Sequence, residues 1–159
     1  MLTIYLGGIE VGDGFAINGR VTDVAHSVAD LASQYVTIDS QDMTNILGAS
    51  TQIIAPYATT GIIVSVSEVT TPAQSSTATV TWSASLNGTA RAQGSPIILP
   101  ASLQTLAAAS LTPTKLILGE VSYPYTPSIG YVLTSTITMS DSFYLMPRLS
   151  DCITYNGAC

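Results

Sequence analysis

Apolar residues recur at alternating steps of four and three through Ile17, Val21, Val24, Val28, Leu31 and Tyr35. That spacing lays one apolar stripe along a helix. Asn18, Arg20, Asp23 and Asp30 fall off the stripe, and no proline precedes Pro56 to break it. The start of this helix differs in kind. Met1 to Leu6 is almost wholly apolar, and Gly7, Gly8, Gly12, Gly14 and Gly19 follow closely. Each Gly costs a helix in water roughly 1 kcal/mol relative to Ala, whereas closely packed membrane helices tolerate it. The apolar run is far short of the ~20 residues that span a bilayer. No basic segment precedes it, so it does not read as a signal peptide. The expectation is that residues 1–36 are the end of a longer hydrophobic helix, begun upstream of Met1, with its amphipathic continuation. The alternative is a Gly-rich buried helix start in a complete protein.

Residues 37–159 predict a globular β domain. Asp39 or Ser40 caps a short second helix with Met43, Ile46 and Leu47 on one face and Gly48 as its stop. The period then changes to two. Residues 51–57 form a first short strand candidate, and Ile62, Val64 and Val66 a second. Ala78, Val80, Trp82 and Ala84 alternate with Thr77, Thr79, Thr81, Ser83 and Ser85, which predicts one buried and one hydroxylated face, with Trp82 in the core. The loop over 70–75 suits a hairpin. Residues 86–112 read as a crossover containing a short helix after Pro100 with Leu103 and Leu106 inward. Two long strands close the chain, drawn from the runs Leu116–Pro127 and Tyr131–Met139, with Phe143–Leu149 following, and Pro124 and Pro127 mark the turn between them, because proline cannot donate to a ladder. The fold class is α+β: a long N-terminal helix laid on an antiparallel β-meander of about four to five strands.

Charge changes the picture by being scarce. Of 159 residues only 9% are charged, against roughly 25% in an average globular protein. Polarity comes from Ser and Thr, a composition common outside the cytoplasm. The net charge is −6, and Arg20, Arg91, Lys115 and Arg148 are scattered. No basic stripe exists to neutralise phosphates, so nucleic acid is not an expected partner. Cys152 and Cys159 are the only cysteines. Their short loop, turned by Asn156-Gly157, suggests a disulfide, with two buried free thiols as the alternative. Such a bridge restricts the unfolded chain by roughly 2–3 kcal/mol and implies an oxidising compartment.

Little in the chain points to catalysis. His26, the only histidine, reads as a helix-surface residue, and no Gly-x-Ser-x-Gly elbow accompanies it. Phosphate-loop and dinucleotide-binding glycine patterns are missing. The aspartates are dispersed without calcium-loop spacing, and the cysteine pair lacks the spacing of a zinc site. The expectation is a protein that is not an enzyme, without cofactor or metal. Asn87-Gly-Thr89 matches a glycosylation sequon but reads first as a turn. Glu10, at the end of the hydrophobic run, is the residue that stands out. A carboxylate there is either an exposed helix-start residue favoured by the helix dipole or a charge that pairs with another subunit or marks a membrane interface.

The order of these parts carries a resemblance. A hydrophobic helix, Gly8-Ile-Glu-Val-Gly12, an amphipathic continuation, a meander, Val121-Ser-Tyr-Pro-Tyr-Thr-Pro127 and Phe143-Tyr-Leu-Met-Pro-Arg-Leu-Ser150 follow one another. The chain in this respect resembles the TadE-like pilus assembly proteins, minor pilins or pseudopilins of tight-adherence (Flp-type) pili. Gly8–Gly12 looks like the family's glycine-flanked glutamate element after its transmembrane stretch. Family members begin with a basic segment, a prepilin cleavage site and an early glutamate; these are not in this chain, so the resemblance implies an N-terminal truncation. It also implies a pilin-like fold and a structural role in pilus assembly. The implied partners are other pilins, the inner-membrane assembly machinery and, through the full-length helix, the membrane. The implied location is the inner membrane with a periplasmic domain, or the pilus and cell surface. A stand-alone extracellular adhesin-type module, using its hydroxylated face, is the competing expectation.

Overall fold

The computed structural model describes residues 1–127 and 135–159, and of Leu2 and Thr3 the backbone only. Helix α1 runs over Leu2–Ser33 without interruption, through all five glycines. A short strand β1 (Thr37–Ile38) leads to α2 (Ser40–Ile53), followed by β2 (Ile63–Thr71), β3 (Ala78–Leu86) and β4 (Pro96–Ile97). Helix α3 (Ala101–Ala109), β5 (Thr114–Tyr125), β6 (Ile137–Leu145) and β7 (Thr154–Tyr155) complete the chain. The architecture is α+β, as the periodicities predict. The start of the expected final strand, 131–134, lies outside the described residues.

Strands β2 to β6 form one antiparallel sheet in the order β4-β3-β2-β5-β6. The strands do not follow one another as a simple meander. After the β2–β3 hairpin the crossover carries the chain back, so that β5 pairs with the far side of β2 over 63–71 with 114–122. This places the long β2 and β5 in the interior of the sheet, each with a strand on either side. The central pair is flanked by a polar hairpin strand on each side.

The stripe of α1 packs across β5 and β6. Ile17, Val21, Val24 and Val28 are buried, joined by Ala25, Ala29 and Ala32. The helix comes closest over Gly119 of β5. A side chain there would lie within contact distance of the Ala25 carbonyl oxygen and 3.1 Å from the Ala29 methyl carbon. Three small residues thus set the helix-to-sheet spacing. The core beneath α1 and α2 contains Val64, Val66, Trp82, Ala84, Ile117, Val121 and Tyr123. A smaller cluster of Val69, Ala78, Val80, Leu116 and Leu118 is capped by Ile97, Leu99 and Leu103.

The two clusters correct the expectation of one continuous alternating face in β3. Glu68 pairs with Trp82 but Val69 pairs with Val80, so Thr81 has no partner and forms a β-bulge. A bulge moves the side-chain alternation by one residue. Trp82 and Ala84 therefore join the core beneath the helices, while Ala78 and Val80 join the second cluster. In sequence the alternation looks unbroken because the extra residue is itself polar.

Four further local expectations are corrected. Asp39 does cap α2: its side chain accepts from the Asp42 N–H at 2.7 Å, and Asp42 reaches back to the Asp39 N–H. Gly48, however, does not end the helix. The buried face continues through Ser50 and the helix runs on to Ile53, so 51–57 is helix end and turn, not a strand. In α3, Leu103 packs inward but Leu106 is exposed, and Ala107, one full turn beyond Leu103, is the buried residue. Pro124 lies inside β5, opposite Thr138. There β5 has run past its last partner in β2, Ile63, and has one free side, where a missing N–H does least harm. The turn therefore starts after Tyr125, not at Pro124.

Candidate functional site: an open hydroxylated face and a carboxylate beneath the disulfide loop

Antiparallel register brings the polar positions of four strands into rows on the sheet face opposite α1. Ser85, Ser65, Glu120 and Ser142 lie side by side, and Ser122 pairs with Ser140. Ser65 and Ser85 hydroxyls are 2.9 Å apart, as are those of Ser67 and Ser83. Arg91, from the loop after β3, lies over this face. Its backbone N–H donates to the Ser83 hydroxyl at 3.1 Å, and its guanidinium grips Glu120 with two bonds of 2.8 and 2.6 Å. That grip pushes the Arg91 pKa further up. Tyr144 stands beside the pair; burial, then the Glu120 carboxylate, pushes its phenol up. The result is a shallow concavity of about 520 Å³ bounded by Ser65, Thr89, Arg91, Glu120, Ser122 and Ser142. It offers hydroxyls that both donate and accept around one bidentate ion pair, groups suited to binding a polar ligand.

The second polar constellation is buried. Cys152 and Cys159 form a disulfide with their Cα atoms 5.7 Å apart. Their loop contains β7, which pairs in parallel with β1. Inside the loop, Ile153 is fully buried, and both its peptide groups are met by side chains of the sheet. Glu68 Oε2 accepts its N–H at 2.7 Å, and Trp82 Nε1 donates to its carbonyl at 2.7 Å. The Trp82 ring also packs against Tyr155, with centroids 5.4 Å apart. Glu68 has no exposure to solvent. Its Oε1 lies 3.6 Å from Lys115 Nζ, an ion-pair distance too long for a hydrogen bond. Burial raises the Glu68 pKa, and the Ile153 N–H and the Lys115 ammonium partly offset that rise.

Glu10 is not an exposed helix-start residue. It sits in the third turn of α1, beyond the reach of the helix N-terminal charge, and is 1% exposed. The Tyr125 hydroxyl donates to its carbonyl oxygen at 3.3 Å. Burial pushes the Tyr125 phenol up, and the Asp13 and Glu10 carboxylates push it further. Around it, Ile4, Tyr5, Ile9, Val11 and Phe15 are exposed. Val11 and Phe15 border a groove of about 550 Å³ floored by Gly14, Tyr125 and Met139.

Of the other residues singled out in the sequence, His26 is on the helix surface, its ring edge-on to Phe143 at 4.5 Å. Asn87 adopts a positive φ in its turn and donates through Nδ2 to the Ile62 carbonyl. Among the described residues no group of His, Cys, Asp and Glu could hold a metal ion. Glu68, Lys115, Arg91 and Glu120 are functional candidates that sequence reasoning did not single out. The available signal was Glu68, the one charge in the apolar run from Ile62 to Val69, where an ion needs a partner.

No family model matches this chain, and no curated protein or solved structure matches it. Among the described residues no helix is long and apolar enough to cross a membrane.

Proposed function

We propose that the chain is a structural subunit, a minor pilin or pseudopilin that supports assembly of a tight-adherence pilus. The observation that carries this reading is the N-terminal half of α1. Ile4 is 77% and Phe15 75% exposed there, next to an apolar groove, on a helix whose C-terminal half buries its apolar stripe against the sheet. Apolar patches of this kind mark interaction sites. In this reading the apolar end of α1 packs with other pilins and the inner-membrane assembly machinery. The β domain faces the periplasm or the filament surface, where its disulfide persists. The chain transforms no substrate. The test is deletion in the parent cell, with complementation by a protein carrying Phe15→Cys. Loss of pili, restored by the complementing chain and accompanied by a Phe15-dependent crosslink to another pilin, is expected. Normal piliation in the deletion strain and no crosslink would reject the reading.

The concavity around Arg91 and Glu120 favours a second reading, an adhesin-type binding module. In that case Arg91→Ala abolishes attachment to surfaces while leaving pili intact in number and length.

A further inference from the structure

Lys115 stands between two acceptors. Its Nζ is 3.6 Å from Glu68 Oε1 and 3.6 Å from Cys159 Sγ. The other three cations are engaged elsewhere: Arg20 with the Ile53 carbonyl, Arg91 with Glu120, and Arg148 with Asp30. Glu68 is sealed from water by the same loop that the disulfide closes. The other ionisable side chain within the loop is Tyr155, whose ring lies on Trp82; Asp151, just before the loop, is exposed, and the main-chain carboxyl of Cys159 adds a negative charge beside the same sulfur.

We propose that Lys115 couples the redox state of the Cys152–Cys159 bridge to a proton on Glu68. With the disulfide closed, the ammonium neutralises the Glu68 carboxylate. A dithiol reductant opens the bridge, supplies two electrons and two protons, and is itself oxidised to a disulfide. One proton ends on the Cys152 sulfur. Cys159 is left as a thiolate, because an adjacent ammonium stabilises that form. The second proton goes to Glu68, which has yielded its only cation to Cys159 and cannot stay charged in an apolar interior.

The experiment starts from the intact oxidised protein, reduced with dithiothreitol at neutral pH. Infrared difference spectra are expected to gain a carboxylic-acid C=O band that is missing in Glu68→Gln. In the reduced protein, iodoacetamide modification of Cys159, followed site by site by mass spectrometry, is expected to reach half-maximal rate at a lower pH than Cys152. In Lys115→Gln that midpoint moves up toward the ordinary thiol value of about 8.5, while Lys115→Arg retains the low midpoint. A reduced wild-type protein without the carboxyl band overturns the coupling. So does a Cys159 profile that is the same with Lys115 and with Gln. Loss of the native Trp82 fluorescence on reduction would equally overturn it, because Glu68 would then meet solvent.

Discussion

Gly119 and Glu68 show how single residues set terms for everything around them. Gly119 has no side chain because the α1 backbone occupies that space. Gly119→Ala is expected to destabilise the protein by about 1–3 kcal/mol through overpacking, read as a lower urea midpoint with an unchanged slope. Neither the five glycines of α1 nor their spacing points to this one, which sits in a strand and is needed only for a contact distant in sequence. Glu68 makes a pH prediction. Its pKa lies above the ordinary 4.5 in the folded chain, so between those two values the folded state holds a proton that the unfolded state has released. Its contribution to stability is therefore fullest below pH 4.5 and is lost as pH rises through the folded value. Relative to Glu68→Gln, the wild type should be favoured most at low pH and lose ground as pH rises through that window. Urea unfolding at a series of pH values checks this, and a constant difference between the two proteins would contradict it.

At the scale of elements, the bulge at Thr81 is the most consequential device. It lets β3 give Trp82 to one face and Val80 to the other. Deleting Thr81 would put either Val80 and Ala78 or Trp82 and Ala84 on the wrong face, since a one-residue slip exchanges faces. The expected outcome is a chain without cooperative thermal unfolding; Thr81→Ser, which keeps the residue count, should retain it. The elements whose pattern is purely local were legible in the sequence: the stripe of α1, the capped start of α2 and the paired strands β2 and β3. Features decided by distant partners were not. Whether Gly48 ends α2 depends on the core that Ser50 meets. Whether Pro124 can sit in a strand depends on where β2 stops. The Glu68–Lys115–Ile153 group joins three segments far apart in the chain, and periodicity carries no information about such a meeting.

Taken as a whole, the molecule is a sheet with a helix bound firmly at one end and apolar at the other. The scarce cations fasten distant elements to each other: Arg148 to Asp30 of α1, Lys115 to Glu68, Arg91 to Glu120. Phe15 and Val11 contribute nothing comparable to the fold, being exposed. Replacing both by Asp should leave the thermal midpoint within a few degrees while abolishing the association with other pilins proposed above, read by sedimentation and crosslinking. Retained association would show that the apolar end of α1 is not the docking surface. The close seat of Ala25 and Ala29 over Gly119 has a mechanical consequence. A helix nested this tightly on a strand cannot slide along its axis without first lifting off, so it behaves as a detent. The C-terminal end of α1 is tied again by the Arg148 N–H to the Ser33 carbonyl at 3.0 Å. Tension applied to the N-terminal end of α1 would thus be carried as shear into β5, an interior strand of the sheet, instead of peeling the helix away turn by turn.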